Sequence, residues 1–132
     1  MTKITVNEIP KKSNLDIESI TSCLENASRI FNLTGELEIE ILFVSQEDIQ
    51  ALNRKHRNID SSTDVLSFPQ AQFSASNTNI LGSIVINPEN VIEKGEGFED
   101  VLKHGFLHLI GYDHETNENE WDEAARKIDC NL

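Results

Sequence analysis

Residues 104–114 read HGFLHLIGYDH, and the two histidines that open this run constrain the chain more than any other feature. An α-helix turns about 100° per residue, so His104 and His108 sit roughly 40° apart on one face, one turn apart along the axis. That spacing lets one rigid helix offer two imidazoles to a single cation. The helix is expected from about Phe98 to Ile110, and Gly111 is a natural left-handed stop after it. The chain can then turn back and bring His114 round as a third ligand. Three neutral imidazoles with one open position suit a catalytic zinc site, because structural zinc sites take their fourth ligand from the protein. Imidazole-only ligation also admits nickel, copper or iron. The spacing predicts one Zn2+ per chain, held by His104, His108 and His114 at the end of a C-terminal helix.

The pattern H-x3-H-x2-G-x2-H is similar to that of the metzincin peptidases, in which Glu follows the first histidine and serves as general base. Here that position is Gly105, which has no side chain to take a proton. The ligand scaffold is present and the peptidase base is missing, so peptide hydrolysis falls to second place.

Around this block the chain reads as one ordinary globular domain, 1–132, of 132 residues with 38% hydrophobic content. No apolar run approaches the roughly 18 residues of a membrane span. The N-terminal MTKITVNEIP lacks the basic start and apolar stretch of a signal peptide. A cytoplasmic location without membrane attachment is therefore expected. Cys23 and Cys130 lie far apart and outside any CxxC pattern, so they are expected to be uncrosslinked. The formal charge of −12 argues against general, non-specific attraction to nucleic acid, so a polyanionic substrate needs a local positive site.

Residues 3–9 alternate as a short strand. From Ser13 or Asn14, the positions Ile17, Ile20, Leu24, Ala27 and Phe31 mark one face of an amphipathic helix, closed by Gly35. Leu37, Ile39, Ile41 and Phe43 alternate with Glu38 and Glu40 as a half-buried strand. Ser45 caps a short helix through Ile49 and Leu52, with Glu47 and Asp48 in its first turn. STDVLSFP, ending at Pro69, reads as a brief edge strand or extended loop, and residues 70–79 as a polar loop. ILGSIVI at 80–86 is a strand, and Asn87-Pro88 starts a short helix interrupted by Gly95 and Gly97. The last helix runs from about Asn119, with Trp121, Ala125, Ile128 and Leu132 on one face. Strands and helices mix without strict alternation, which predicts an α+β fold with a small mixed sheet packed against several helices.

Three blocks together resemble one family. HGFLHLIGYDH is similar to the HGxLHLxGYDH signature of the YbeY family of bacterial rRNA maturation factors. LNRKHRNIDSSTDVLSFP at 52–69 resembles its LNxxxRxxDxxTDVLSFP block, and LGSIVINPENV at 81–91 resembles its third, in the same order and spacing. The resemblance implies an α+β domain with three zinc-binding histidines, mapping onto His104, His108 and His114. It also implies a single-strand-specific endoribonuclease that acts in 16S rRNA 3′-end maturation and ribosome quality control. The expected partners are then rRNA, the small ribosomal subunit and ribosome-associated proteins. The family's arginine maps onto Arg57. One departure stands out: where many members carry Asp in LGDIxI, this chain has Ser83.

For RNA cleavage, an open zinc position supplies Lewis-acid chemistry, and a guanidinium gives planar contacts to phosphate that stay charged at any working pH. Arg57 is the candidate phosphate clamp, and His114 joins it as a candidate catalytic residue. Arg54, Lys55, His56 and Arg57 concentrate positive charge in an otherwise acidic chain, which implies few phosphate contacts and a shallow salt dependence. No general base is evident. Asp113 beside a ligand reads equally well as a turn residue or as a hydrogen-bond partner of a histidine. Trp121 reads as core rather than as a base-stacking platform. Two alternatives remain at this point: a zinc hydrolase of another class, and a non-enzymatic ribosome-assembly factor with a structural zinc.

Overall fold

The computed structural model describes residues 2–7, 9–10, 15–31, 33, 37–69, 79–112 and 118–128. Within them the order is β1 (Thr2–Val6), α1 (Ile17–Ile30), β2 (Leu37–Phe43), α2 (Gln46–Arg57), β3 (Val65–Pro69), β4 (Asn79–Ile86), α3 (Pro88–Glu93), α4 (Phe98–Leu109) and α5 (Glu118–Lys127). The strands form one sheet in the order β1-β2-β4-β3. β1 runs parallel to β2 and β2 parallel to β4, while β3 returns antiparallel to β4. The α+β expectation with a mixed sheet holds, and STDVLSFP supplies the edge strand.

The period of two in β2 explains how the sheet acquires its principal core face. Ile39, Ile41 and Phe43 point to one side, where they meet Ile84 and Ile86 of β4 and Val65 of β3. α1 and α4 cover that side with Ile20, Leu24, Leu102 and Phe106, all fully buried. Burying a Phe or Leu side chain this completely contributes about 1.5–3 kcal/mol each. The opposite face carries Leu66 and Val85, packed on Ile49 of α2. β4 is apolar on both faces because it is covered on both, so ILGSIVI reads as a continuous run rather than an alternation.

The helix ends follow capping chemistry. Asp16 caps α1 through a box in which its carboxylate accepts from the Ser19 amide at 2.7 Å and the Ser19 hydroxyl accepts from the Asp16 amide at 3.3 Å. The helix therefore starts later than Ser13 or Asn14, which lie outside the described residues. Ile17, expected on the buried face, is 45% exposed at the first turn. Ser45 caps α2 as expected, but α2 continues past Leu52 to Arg57. It stops where Asn58 takes a left-handed φ of 60°, a stop that no glycine announces. Asn87 and Pro88 open α3, and Gly111 turns at φ 100° after α4. Gly35, Leu132 and nearly all of the expected 70–79 loop lie outside the described residues.

The loop that leads into β3 is held by polar side chains. The buried Asn53 donates to the Ser61 carbonyl at 3.0 Å, and the Asn87 side chain donates to the Thr63 carbonyl at 3.3 Å while its backbone N–H donates to the Asp64 carbonyl at 2.8 Å. The Asp64 carboxylate accepts from the Val65 amide at 2.8 Å and from the Thr63 hydroxyl at 3.2 Å. Cys23 on the core face of α1 is disulfide-bonded, which corrects the expectation that neither cysteine is crosslinked. Its partner lies outside the described residues. Ile128 is buried in the same core cluster as Cys23. No helix among the described residues is long and apolar enough to cross a membrane.

Candidate metal centre

α4 is the element that builds the site, and a glycine sets where it lies. Gly105 faces β4 so closely that a Cβ there would stand 2.5 Å from Cγ2 of Ile84. The Ser67 hydroxyl on β3 donates to the Gly105 carbonyl at 3.1 Å, tying the edge strand to the middle of the helix. The position where a metzincin carries its glutamate is thus pressed against the sheet. Packing against Ile84 opposes a side chain there.

His104 and His108 flank this contact on the half-buried side of α4, as their spacing predicts. Their Nε2 atoms lie 3.1 Å apart, with ring centroids at 4.7 Å and planes inclined at 62°. Two nitrogens bound to one tetrahedral zinc at about 2.0–2.1 Å are separated by roughly 3.3 Å. The separation of the two Nε2 atoms therefore suits a shared first-row cation when both are in the deprotonated form. Among the described residues no group of three His, Cys, Asp or Glu side chains comes together. The third expected ligand, His114, and its neighbour Asp113 lie outside the described residues.

Sequence reasoning missed how Trp121 is used. It packs against the core cluster, as expected, but its half-buried indole also meets both histidines, 5.0 Å from each ring centroid. The signal was available in part: it is the chain's sole tryptophan, set in a helix that is mostly charged. What the helical period could not supply was which neighbour that helix meets.

The basic cluster occupies a different part of the fold. Arg54, Lys55, His56 and Arg57 form the last turn of α2, whose buried residues pack on the sheet face opposite α4. Arg54 pairs with Asp60 at 3.8 Å, both well exposed, a geometry worth little in stability. His56 meets Phe68 of β3 edge-on with ring centroids 5.0 Å apart. Arg57 is exposed, and its guanidinium makes no hydrogen bond or ion pair among the described residues. The structure does not join it to the histidine pair. Ser83, at the position where the family pattern often has Asp, donates its hydroxyl to Glu40 on the neighbouring strand at 2.8 Å.

Comparison with known proteins matches residues 4–129 to the family described as Endoribonuclease YbeY. The chain belongs to the YbeY family. Relatives named Endoribonuclease YbeY include one from Sulfurovum sp., 37% identical, with 94% of this chain and 88% of that protein covered. Another, from Aliarcobacter butzleri, is 39% identical over 85% of this chain and 83% of its own length. A solution structure of a Thermotoga maritima protein matches with a TM-score of 0.55 and 29% identity, covering 97% of this chain and 86% of that one. The blocks that resemble the family fall on α2 with β3, on β4 with α3, and, as far as the described residues go, on α4 and the turn after it; β3 and β4 are neighbours in the one sheet.

Proposed function

We propose that this chain is a zinc-dependent endoribonuclease that cuts single-stranded RNA, acting in the cytoplasm on the 3′ end of 16S rRNA and in ribosome quality control. The observation that carries the reading is the convergence of two imidazole Nε2 atoms at 3.1 Å, in a chain of a family described as endoribonucleases. On this reading His104, His108 and His114 hold one Zn2+, and residues 1–132 act as one domain built around one sheet. Bound zinc would supply Lewis-acid polarisation of the phosphoryl group.

The protein's own residues then have separate tasks. The α4–β4 contact at Gly105 and the Ser67 hydrogen bond hold the histidine helix in place. Arg57, exposed and without a protein partner among the described residues, contacts an RNA phosphate. α2 and α4 pack on opposite faces of the sheet, which supports a path in which the RNA strand crosses the β3 edge between Arg57 and the histidines. Partners are rRNA in the small ribosomal subunit and proteins bound to it, which supply the targeting that a chain of charge −12 lacks. The peptidase alternative is disfavoured by the packing at Gly105.

The test uses purified, metal-quantified protein on single-stranded RNA, beside a mock preparation from cells lacking the gene. Cleavage is expected in the wild type and is lost, together with the bound metal, in His108→Ala and His114→Ala. Arg57→Ala is expected to keep fold and metal and lose cleavage. Activity equal to that of the mock preparation would overturn the nuclease reading. A 2′,3′-cyclic phosphate product identifies attack by the 2′-hydroxyl, whereas a 5′-phosphate with a free 3′-hydroxyl identifies attack by water.

A further inference from the structure

We propose that Trp121 is a positioning residue of the histidine centre: its indole holds the His104 and His108 rings with their Nε2 atoms convergent before a metal arrives. This rests on the reading of the pair as metal ligands and adds a residue that neither the spacing nor the family pattern assigns.

Three aromatic rings meet at this point. Trp121 lies 5.0 Å from each imidazole centroid, at 65° to His104 and 50° to His108. The imidazoles lie 4.7 Å from each other at 62°. Such inclined contacts are the favoured arrangement of aromatic pairs and restrict the χ angles of the smaller rings. Both partners of the contact are themselves anchored. Ala124 of α5 and Ile128 just after it are buried in the core, and Trp121 precedes Ala124 by one turn on the same side. On α4, the Gly105 contact with Ile84 and the Ser67 hydrogen bond fix the helix between the two histidines. An indole has one N–H donor and no lone pair to offer a cation. It can therefore orient ligands without becoming one. Two imidazoles already 3.1 Å apart need little reorganisation to bind, and pre-organisation of this kind raises affinity by lowering the ordering cost.

The same geometry makes the centre observable. Trp121 is the sole tryptophan, so the intrinsic indole fluorescence reports this site alone. A paramagnetic ion bound by the adjacent histidines would quench it.

The experiment titrates the full-length, metal-stripped protein with Co2+ and with Zn2+, following fluorescence, the Co2+ ligand-field spectrum and far-UV circular dichroism. Wild type is expected to bind with strong quenching. Trp121→Leu, which keeps apolar bulk without a ring, should bind roughly tenfold or more weakly with an altered Co2+ spectrum and unchanged dichroism, the usual range for loss of a ligand-orienting neighbour. Trp121→Phe, which keeps a ring, should restore affinity to within about threefold of wild type by the same argument. Equal affinity and an identical Co2+ spectrum in Trp121→Leu would overturn the inference while leaving the metal reading intact. A wild type whose binding is unchanged by His108→Ala would overturn the metal reading itself, and the inference with it.

Discussion

Replacing Gly105 with alanine tests the contact that fixes the site. The new Cβ would stand 2.5 Å from Cγ2 of Ile84, with Cγ1 at 3.1 Å and Cδ1 at 3.2 Å. Ile84 is fully buried and β-branched, so it cannot swing aside without leaving its rotamer well. Overpacking of this kind costs about 1–3 kcal/mol. Against it, alanine is favoured over glycine inside a helix by about 1 kcal/mol. The net expectation is a destabilisation between roughly 0 and 2 kcal/mol, which is a blunt reading on its own. The sharper quantity is the coupling to Ile84. Ile84→Ala removes all three crowding atoms, and in that background Gly105→Ala should stabilise by about 1 kcal/mol. A double-mutant cycle by urea denaturation, followed by far-UV circular dichroism, should therefore give a coupling of about 1–3 kcal/mol. Equal stabilisation by Gly105→Ala in both backgrounds would show that the sheet does not exclude a side chain here. The cycle also bears on chemistry. Gly105→Glu would drive a carboxylate against buried Ile84, so the metzincin base cannot be installed by one substitution.

Ser67→Ala removes the hydroxyl that binds the Gly105 carbonyl and should lower stability by about 0.5–1.5 kcal/mol in thermal or urea unfolding, with metal binding retained. Ser45→Ala removes the α2 cap on the Asp48 amide and should cost about 1 kcal/mol, measured in the same way. Glu96 is held above its ordinary value of 4.5 by burial, then by its hydrogen bond with Asp64 and the charge of that carboxylate. Its contribution to stability is therefore full below pH 4.5 and is lost as pH rises through its folded value. Asp64 behaves oppositely: burial alone would raise it, but hydrogen bonding to Glu96 and the charge of Lys94 hold it below 3.8, so its contribution is lost only as pH falls further. Glu96→Gln, neutral at every pH, should flatten the decline in melting temperature from pH 4.5 upward; an unchanged slope would remove the pair from the pH response.

Much of this fold was legible because short-range rules decide it. The alternation at Ile39, Ile41 and Phe43, the caps at Ser45 and Asn87, and the turn at Gly111 each depend on a few neighbouring residues. The Asp16–Ser19 box starts α1 at Ile17, which leaves Ile17 outside the core, and no apolar spacing marks that cap. The end of α2 is hard to read from the chain because an asparagine, rather than a glycine, takes the left-handed turn at residue 58. Long-range facts were less accessible. Sequence order gives no sign that β4 inserts between β2 and β3, and only that insertion brings Ile84 beneath Gly105. The histidine pair was legible because both imidazoles sit on one helix. Trp121 was not, since its role depends on how α5 docks against α4. Arg57 joins the histidines only through the family resemblance and the chemistry of a guanidinium, and no local pattern indicates that the sheet sets α2 and α4 on opposite faces.

The sheet order has a further consequence, for the chain while it is being made. The two edge positions belong to five-residue strands, β1 and β3, and β3 ends at Pro69, which has no N–H to offer an incoming strand. The seven- and eight-residue strands β2 and β4, the ones able to recruit another copy, protect each other in the interior. During synthesis, however, β2 leaves the ribosome well before β4 exists, so its inner edge stays open until residues 79–86 emerge. The interval of greatest aggregation hazard is thus fixed by topology. It closes when the strand that seats Gly105 arrives.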